Sequence, residues 1–234
     1  FATAEFDAVT SVLPAGMKIV GGVGNGPFEI SEDLVGFESL CYMQADDPEL
    51  FADLYAKIGD LHCELWQFVL ARWSEHIAVP RFGDDMGFKT GTLLAPDSLL
   101  DHLVPQYRRI LKIIRGADKP FLWHSCGKIF PVMEAMIDAG ITAKHSNEDA
   151  IADLDEWIAR YGDRIGLFGG IDTDRLCRMT PDDLYAFALD AGRRYRAAAK
   201  GYAMGSGNSI PRYVPTETYL AMIRAAHTLR AEEA

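Results

Sequence analysis

The chain has 234 residues, of which 49% are hydrophobic, 24% charged and 11% aromatic. That balance belongs to a globular protein and excludes collagen-like, disordered and disulfide-scaffold chains. A net charge of −11 sets the surface against phosphate backbones, so nucleic acid is not an expected partner.

Cys41, Cys63, Cys126 and Cys177 show no Cys-x-x-Cys spacing, which favours a reducing, cytoplasmic compartment over a disulfide framework. No apolar run approaches the ~20 residues of a bilayer span, so no membrane is expected. The sequence opens on Phe1, without Met or a basic leader, and reads as an incomplete or processed chain.

In chain order, short apolar or β-branched runs predict strands at Met17–Val20, Ile77–Arg81, Phe121–His124, Ile141–Lys144, Ile165–Phe168 and Tyr202–Met204. Amphipathic periodicity predicts helices at Pro48–Trp73, Ser98–Arg115, Ile129–Ala139, Ile151–Tyr161, Pro181–Ala199 and Thr216–Glu232. Asp47-Pro48 and Thr180-Pro181-Asp182-Asp183 combine a capping side chain, a first-turn proline and acids on the helix dipole. Gly116, Gly140 and Gly201 are expected to close helices in the left-handed cap conformation. Strand–helix alternation implies parallel strands with crossover helices, an α/β fold.

Polar or glycine-rich clusters follow strand after strand: Gly21–Glu29, Gly83-Asp84-Asp85, His124-Ser125-Cys126-Gly127, His145–Asp149, Gly169–Asp172 and Gly205–Asn208. Chemical residues at the carboxyl ends of successive strands mark a (β/α)8 barrel, whose site is built from those loops. Six strands are legible, so one or two are missing or unread. No linker or repeat interrupts residues 1–234, which are expected to form a single domain.

His124 and Cys126 stand two apart at a strand end, where alternate side chains share a face. Imidazole and thiol together suit a soft metal such as zinc; the other reading is a buried histidine beside an inert cysteine. Asp84 and Asp85 point to opposite faces, so one carboxylate is expected to enter the site while the other caps an element or makes a turn. In the 145–149 run, Asn147 or Asp149 is a candidate helix cap, and His145 and Glu148 are site candidates. Asp172 is either a turn cap or a ligand contact, and the loop around Asn208 could form an anion-binding nest. Cys41, Cys63 and Cys177 read as packing, and His62 and His76 as packing or surface.

Five pieces of the chain carry a resemblance: GNGPFE (Gly24–Glu29), FGDDMG (Phe82–Gly87), LWHSCGKIFPVMEAMIDAGI (Leu122–Ile141), YGDRIGLFGGID (Tyr161–Asp172) and GSGNSIP (Gly205–Pro211). In that order they resemble the uroporphyrinogen decarboxylase superfamily, which includes cobalamin-dependent methyltransferases of the methylcobamide:coenzyme M type. The resemblance implies a TIM-like (β/α)8 barrel with its N-terminal part incomplete in this chain. The decarboxylase branch grips its porphyrinogen with N-terminal arginines, an aspartate, a tyrosine and a late histidine; here the arginine segment is not present and Asn208 stands at the histidine's place. The methyltransferase branch binds zinc through a His-x-Cys pair, matched by His124 and Cys126, and a later cysteine, whose place Asn208 occupies.

The resemblance therefore implies a zinc-dependent methyltransferase of demethylase type, moving a methyl group between a small molecule and a corrinoid (cobalamin) cofactor or corrinoid protein. A lyase of decarboxylase type and a non-catalytic small-molecule-binding barrel are the alternatives. With Cys absent at 208, His124 and Cys126 are expected to be completed as a metal set by Glu29 as first choice or His145 as second, with Asp84 and Glu148 as further candidates. Asp84, Glu29 and Glu148 are the expected catalytic residues. Asp85, Asn147, Asp172 and Asn208 are the expected substrate contacts.

Overall fold

The computed structural model describes residues 3–232; Phe1, on which the sequence opens, lies outside the described residues. The described chain divides into two compact units. The first comprises the chain up to Met86, Thr92–His124 and Phe130–Ile141; the second comprises Gly87–Gly91, Ser125–Ile129 and the chain from Thr142 onward. Each unit holds three strands that neighbour one another in chain order.

The first unit runs α1 (Thr3–Val12), β1 (Ile19–Gly21), α2 (Pro27–Val35), α3 (Phe37–Asp46), α4 (Pro48–Trp73), β2 (Ile77–Gly83), α5 (Pro96–Ser98), a π turn (Leu99–Leu103), α6 (Val104–Gly116), β3 (Leu122–His124) and α7 (Phe130–Ala139). β1 and β3 pair parallel to β2, with Ile19 opposite Ile77 and Gly83 opposite His124. α4 begins where the sequence predicts, because the Asp47 carboxylate accepts from Leu50 N at 3.0 Å and Pro48 needs no N–H partner. Its buried residues Phe51, Tyr55, Ile58, His62, Trp66, Val69 and Trp73 recur every three or four positions, making one apolar stripe. Each large side chain in that stripe contributes about 1.5–3 kcal/mol by leaving water. The core centres on Phe82 of β2, whose ring lies 4.8 Å from Phe121 and 5.5 Å from Tyr107.

The second unit runs β4 (Ala143–His145), α8 (Leu154–Tyr161), β5 (Gly166–Ile171), α9 (Thr173–Arg178), α10 (Pro181–Ala198), β6 (Tyr202–Ser206) and α11 (Thr216–Ala231). β4 and β6 both pair parallel to β5. The Thr180 hydroxyl accepts from Asp183 N and starts α10 as expected. Ile171, Leu176, Leu184, Ala188, Val214, Ala221, Met222 and Ala225 form a buried apolar cluster in this unit.

Six strands among the described residues, parallel within each unit and alternating with helices, make an α/β fold that is consistent with an incomplete TIM-type barrel. Three local expectations are corrected. Of Gly116, Gly140 and Gly201 only Gly140 has positive φ; after α6 the left-handed position falls on Asp118. The cap of α8 is Asp153, accepting from Glu156 N at 2.9 Å, instead of Asn147 or Asp149. Cys41 is exposed instead of packed, whereas Cys63 is half-buried and Cys177 packs half-buried against the second unit's apolar cluster as expected. Among the described residues no helix is long and apolar enough to cross a membrane.

Candidate functional site

In the first unit the site is assembled at the carboxyl ends of β2 and β3. Gly26 N donates to Gly83 O at 2.6 Å, which docks the start of α2 on the end of β2. Gly26 has no side chain to cap the helix. Asp84 supplies the missing acceptor from the neighbouring strand: Oδ1 takes the N–H of Glu29 at 2.9 Å and Oδ2 that of Phe28 at 3.3 Å. A Cβ at Gly26 would stand 2.3 Å from the Asp84 carboxyl carbon, so only glycine allows this approach. Tyr107 donates its hydroxyl to Asp84 Oδ2 at 2.6 Å and accepts from Trp123 Nε1 at 3.1 Å. Asp84 is fully buried, and that burial pushes its pKa up to about 7 against the pull of these donors.

With Asp84 occupied in this way, Asp85 is the carboxylate turned toward β3. Its Oδ1 lies 3.6 Å from His124 Nε2, with the imidazole largely buried and the carboxylate about one-third exposed. The backbone holds the pair in register, because Asp84 N donates to His124 O at 2.9 Å. Asp85, His124 and Cys126 each offer one ligand atom, and the three atoms lie within 4.8 Å of one another. Oxygen, nitrogen and sulfur at that spread form a donor set that a zinc ion fits after small side-chain adjustments. Glu29 stands beside it: its carboxylate accepts from the Asp85 backbone N–H, and burial, then the Asp85 charge, raises its pKa.

In the second unit Cys126 meets two further loops. Its Sγ accepts from Ser146 Oγ and from Asn208 Nδ2, each at 3.4 Å. Gly127 turns the chain behind it at φ +84°, and a Cβ there would stand 2.1 Å from the Gly87 carbonyl carbon. The glycines of FGDDMG and HSCG thus let these two loops touch backbone to backbone. His145 Nε2 lies 3.0 Å from Ser206 O, so its ring joins the end of β4 to that of β6. Asn147 is buried; its Oδ1 accepts from Gly170 N at 2.8 Å and its backbone N–H donates to Gly207 O at 3.1 Å. Asp172 accepts from Asp174 N and Asp149 N, both at 2.6 Å, and so caps α9. Gly207 N donates to Ile171 O at 2.7 Å, which removes that N–H from the expected anion nest. Glu148, Asp172 and Asn208 line a cavity of about 320 Å³ together with Lys89, Ser209 and Tyr213.

The expected residues therefore sort by location. Asp84, Asp85, Glu29 and His124 gather in the first unit, and Asp85 joins His124 and Cys126 where Glu29 or His145 was expected. Asn208, Glu148 and Asp172 line one cavity, but Asn147 and Asp172 spend their side-chain acceptors on loop geometry. Tyr107 and Ser146 were missed. Tyr107 lies mid-helix with no local motif, whereas Ser146 sat inside a recognised polar run and could have been singled out.

Comparison with known proteins places the whole arrangement. No curated protein sequence matches the chain. A solved structure described as a methyltransferase from Methanosarcina mazei shares the fold, at TM-score 0.72 and 21% identity over 94% of this chain. This chain spans 61% of the length of that one. A 3-keto-L-gulonate-6-phosphate decarboxylase from Vibrio cholerae aligns at 11% identity over 88% of this chain and 84% of its own, with a TM-score of 0.33, too low to indicate a common fold. The sequence model of the uroporphyrinogen decarboxylase (URO-D) family matches residues 6–229, and the chain belongs to that family.

Proposed function

We propose that this chain is the zinc-binding part of a methyltransferase of demethylase type, moving a methyl group between a small molecule and a corrinoid cofactor or corrinoid protein. The observation that carries the proposal is the mixed donor set of Asp85, His124 and Cys126 within 4.8 Å. The solved neighbour from Methanosarcina mazei, described as a methyltransferase, is in keeping with it. Residues 1–234 are taken as one domain, since a single family match runs through both units. The corrinoid follows from the family resemblance, and no residue is assigned to hold it.

Zinc bound by these three ligands would supply a Lewis acid with an open position, where a thiol is held as thiolate or a methyl ether or amine is polarised. Asp85 Oδ1 and His124 Nε2, 3.6 Å apart, would both turn toward the ion as ligands. Asp84 positions Glu29 by holding its backbone N–H at 2.9 Å. Burial makes the Glu29 carboxyl hold a proton more readily than an exposed glutamate does, which suits it to protonate a leaving oxygen or nitrogen. Glu148, Asn208 and Lys89 offer polar contacts to a small substrate in the cavity they line.

The test is methyl transfer from a methyl ether or methylamine to cob(I)alamin, and from methylcobalamin to a small thiol, each followed by the absorbance of the corrinoid. Zinc-loaded protein should carry out one of these transfers, and His124→Ala should abolish it. Release of carbon dioxide from a uroporphyrinogen, with no methyl transfer, would overturn the proposal in favour of the lyase. Activity in neither assay would favour a non-catalytic binding barrel.

A further inference from the structure

Cys126 carries two hydrogen-bond donors on its sulfur, from Asn208 Nδ2 and Ser146 Oγ, each at 3.4 Å. Both donors are held by other bonds. Asn208 Oδ1 accepts from Ser209 N at 2.7 Å, and its carbonyl accepts from Ser206 Oγ at 2.5 Å. The Ser146 carbonyl accepts from Nζ of Lys144, a buried lysine whose ammonium also stands 4.1 Å from the Trp157 ring centroid. Gly127 fixes the turn behind the sulfur by its contact with Gly87. Two loops remote in sequence are thus fastened so that each presents a proton to one sulfur.

A thiolate is a strong nucleophile toward carbon, and donors that engage its lone pairs weaken it. A protein that handles activated methyl groups exposes its own ligand thiolate to the same chemistry as its substrate. We propose that Asn208, seconded by Ser146, is a positioning residue that protects Cys126 from methylation, keeping it a ligand instead of a methyl acceptor. This rests on the methyltransferase function proposed above. Such protection also gives a physical reason for an amide at 208: it donates to sulfur and adds no second alkylatable thiol.

The probe is methyl iodide at fixed pH. An S–C bond forms at Cys126 as the C–I bond breaks, and iodide leaves with the electron pair. S-methylation is read at each cysteine by peptide mass spectrometry in zinc-loaded parent, Asn208→Leu, Ser146→Ala and Asn208→Gln, with zinc content measured on the same samples. Asn208→Leu should methylate Cys126 roughly tenfold faster, the factor that ~1.4 kcal/mol supplies, and Asn208→Gln, which keeps the amide donor, should return toward the parent. With cobalt(II) in place of zinc, the thiolate charge-transfer band should move to longer wavelength in Asn208→Leu and back in Asn208→Gln. Unchanged rates in both Asn208→Leu and Ser146→Ala, with an unmoved band, would overturn the proposal. An acceleration shared by half-buried Cys63 and Cys177 would also overturn it, as general loosening. If the parent holds no metal, the metal reading fails separately. The comparison is then made on metal-free protein at about pH 10, above the ordinary thiol range, where equal rates would overturn the protective role and faster methylation of Asn208→Leu would uphold it.

Discussion

Two buried groups of the first unit should pull stability in opposite directions with pH. His62 on α4 is 1% exposed and packs 5.4 Å from the Phe82 ring, with neither ring nitrogen partnered among the described residues. Burial pushes its pKa down from 6.5 to about 4. In that interval the unfolded chain takes up a proton that the native chain refuses, so the stability present above pH 6.5 falls as pH drops toward 4. At ~1.36 kcal/mol per pH unit the loss is about 3 kcal/mol. Asp84 acts with the other sign. Burial raises its pKa from 3.8 to about 7, so the native chain keeps a proton that the unfolded chain has lost. Its contribution is full below pH 3.8 and is lost as pH rises through 7, by about 4 kcal/mol. Between pH 4 and 6.5 the two slopes nearly cancel in the parent. His62→Leu removes one of them, so the variant should gain about 3 kcal/mol relative to the parent as pH falls from 7 to 4. Asp84→Asn should change the difference in the opposite direction. The assay is urea unfolding by tryptophan fluorescence at a series of pH values. A difference between His62→Leu and parent that does not vary with pH would refute the reasoning.

Gly127→Ala puts a side chain at φ +84° and 2.1 Å from the Gly87 backbone; the left-handed conformation alone costs about 1–2 kcal/mol. Urea midpoints should fall by more than that, whereas Gly91→Ala, with open space around its Cβ, should stay within about 0.5 kcal/mol of the parent. Tyr107→Phe removes the 2.6 Å donor to Asp84 and strands Trp123 Nε1, for a loss of about 2–3 kcal/mol. Without that donor the Asp84 pKa should rise further, moving the pH at which its contribution disappears upward in the same urea series.

All six strands and the exact span of α4 were legible, because apolar runs, the Asp47-Pro48 cap and a three-to-four-residue stripe are local signals. β5 and β6 extend past their predicted ends, to Ile171 and Ser206, since parallel pairing carries Gly170 and Gly205 into the ladder. α2 was hidden inside a glycine-rich run because its cap, Asp84, lies 55 residues away from Glu29 in sequence. For the same reason the division of labour between Asp84 and Asp85 could not be read: both are acids after a strand, and only the docking of α2 commits Asp84. His124 and Cys126 were visible by their spacing alone. The partners of Cys126 come from positions 20 and 82 residues distant, and no local pattern joins them.

The central claim is a zinc site completed by Asp85. Elemental analysis after equilibration with zinc and removal of the excess tests it directly, on the parent and on Cys126→Ser, Asp85→Asn, Glu29→Gln and His145→Ala. The parent should retain about one zinc per chain, Cys126→Ser and Asp85→Asn should lose it, and Glu29→Gln and His145→Ala should keep it. A parent that retains none, or an Asp85→Asn variant that holds zinc as tightly as the parent while Glu29→Gln or His145→Ala loses it, would contradict the account.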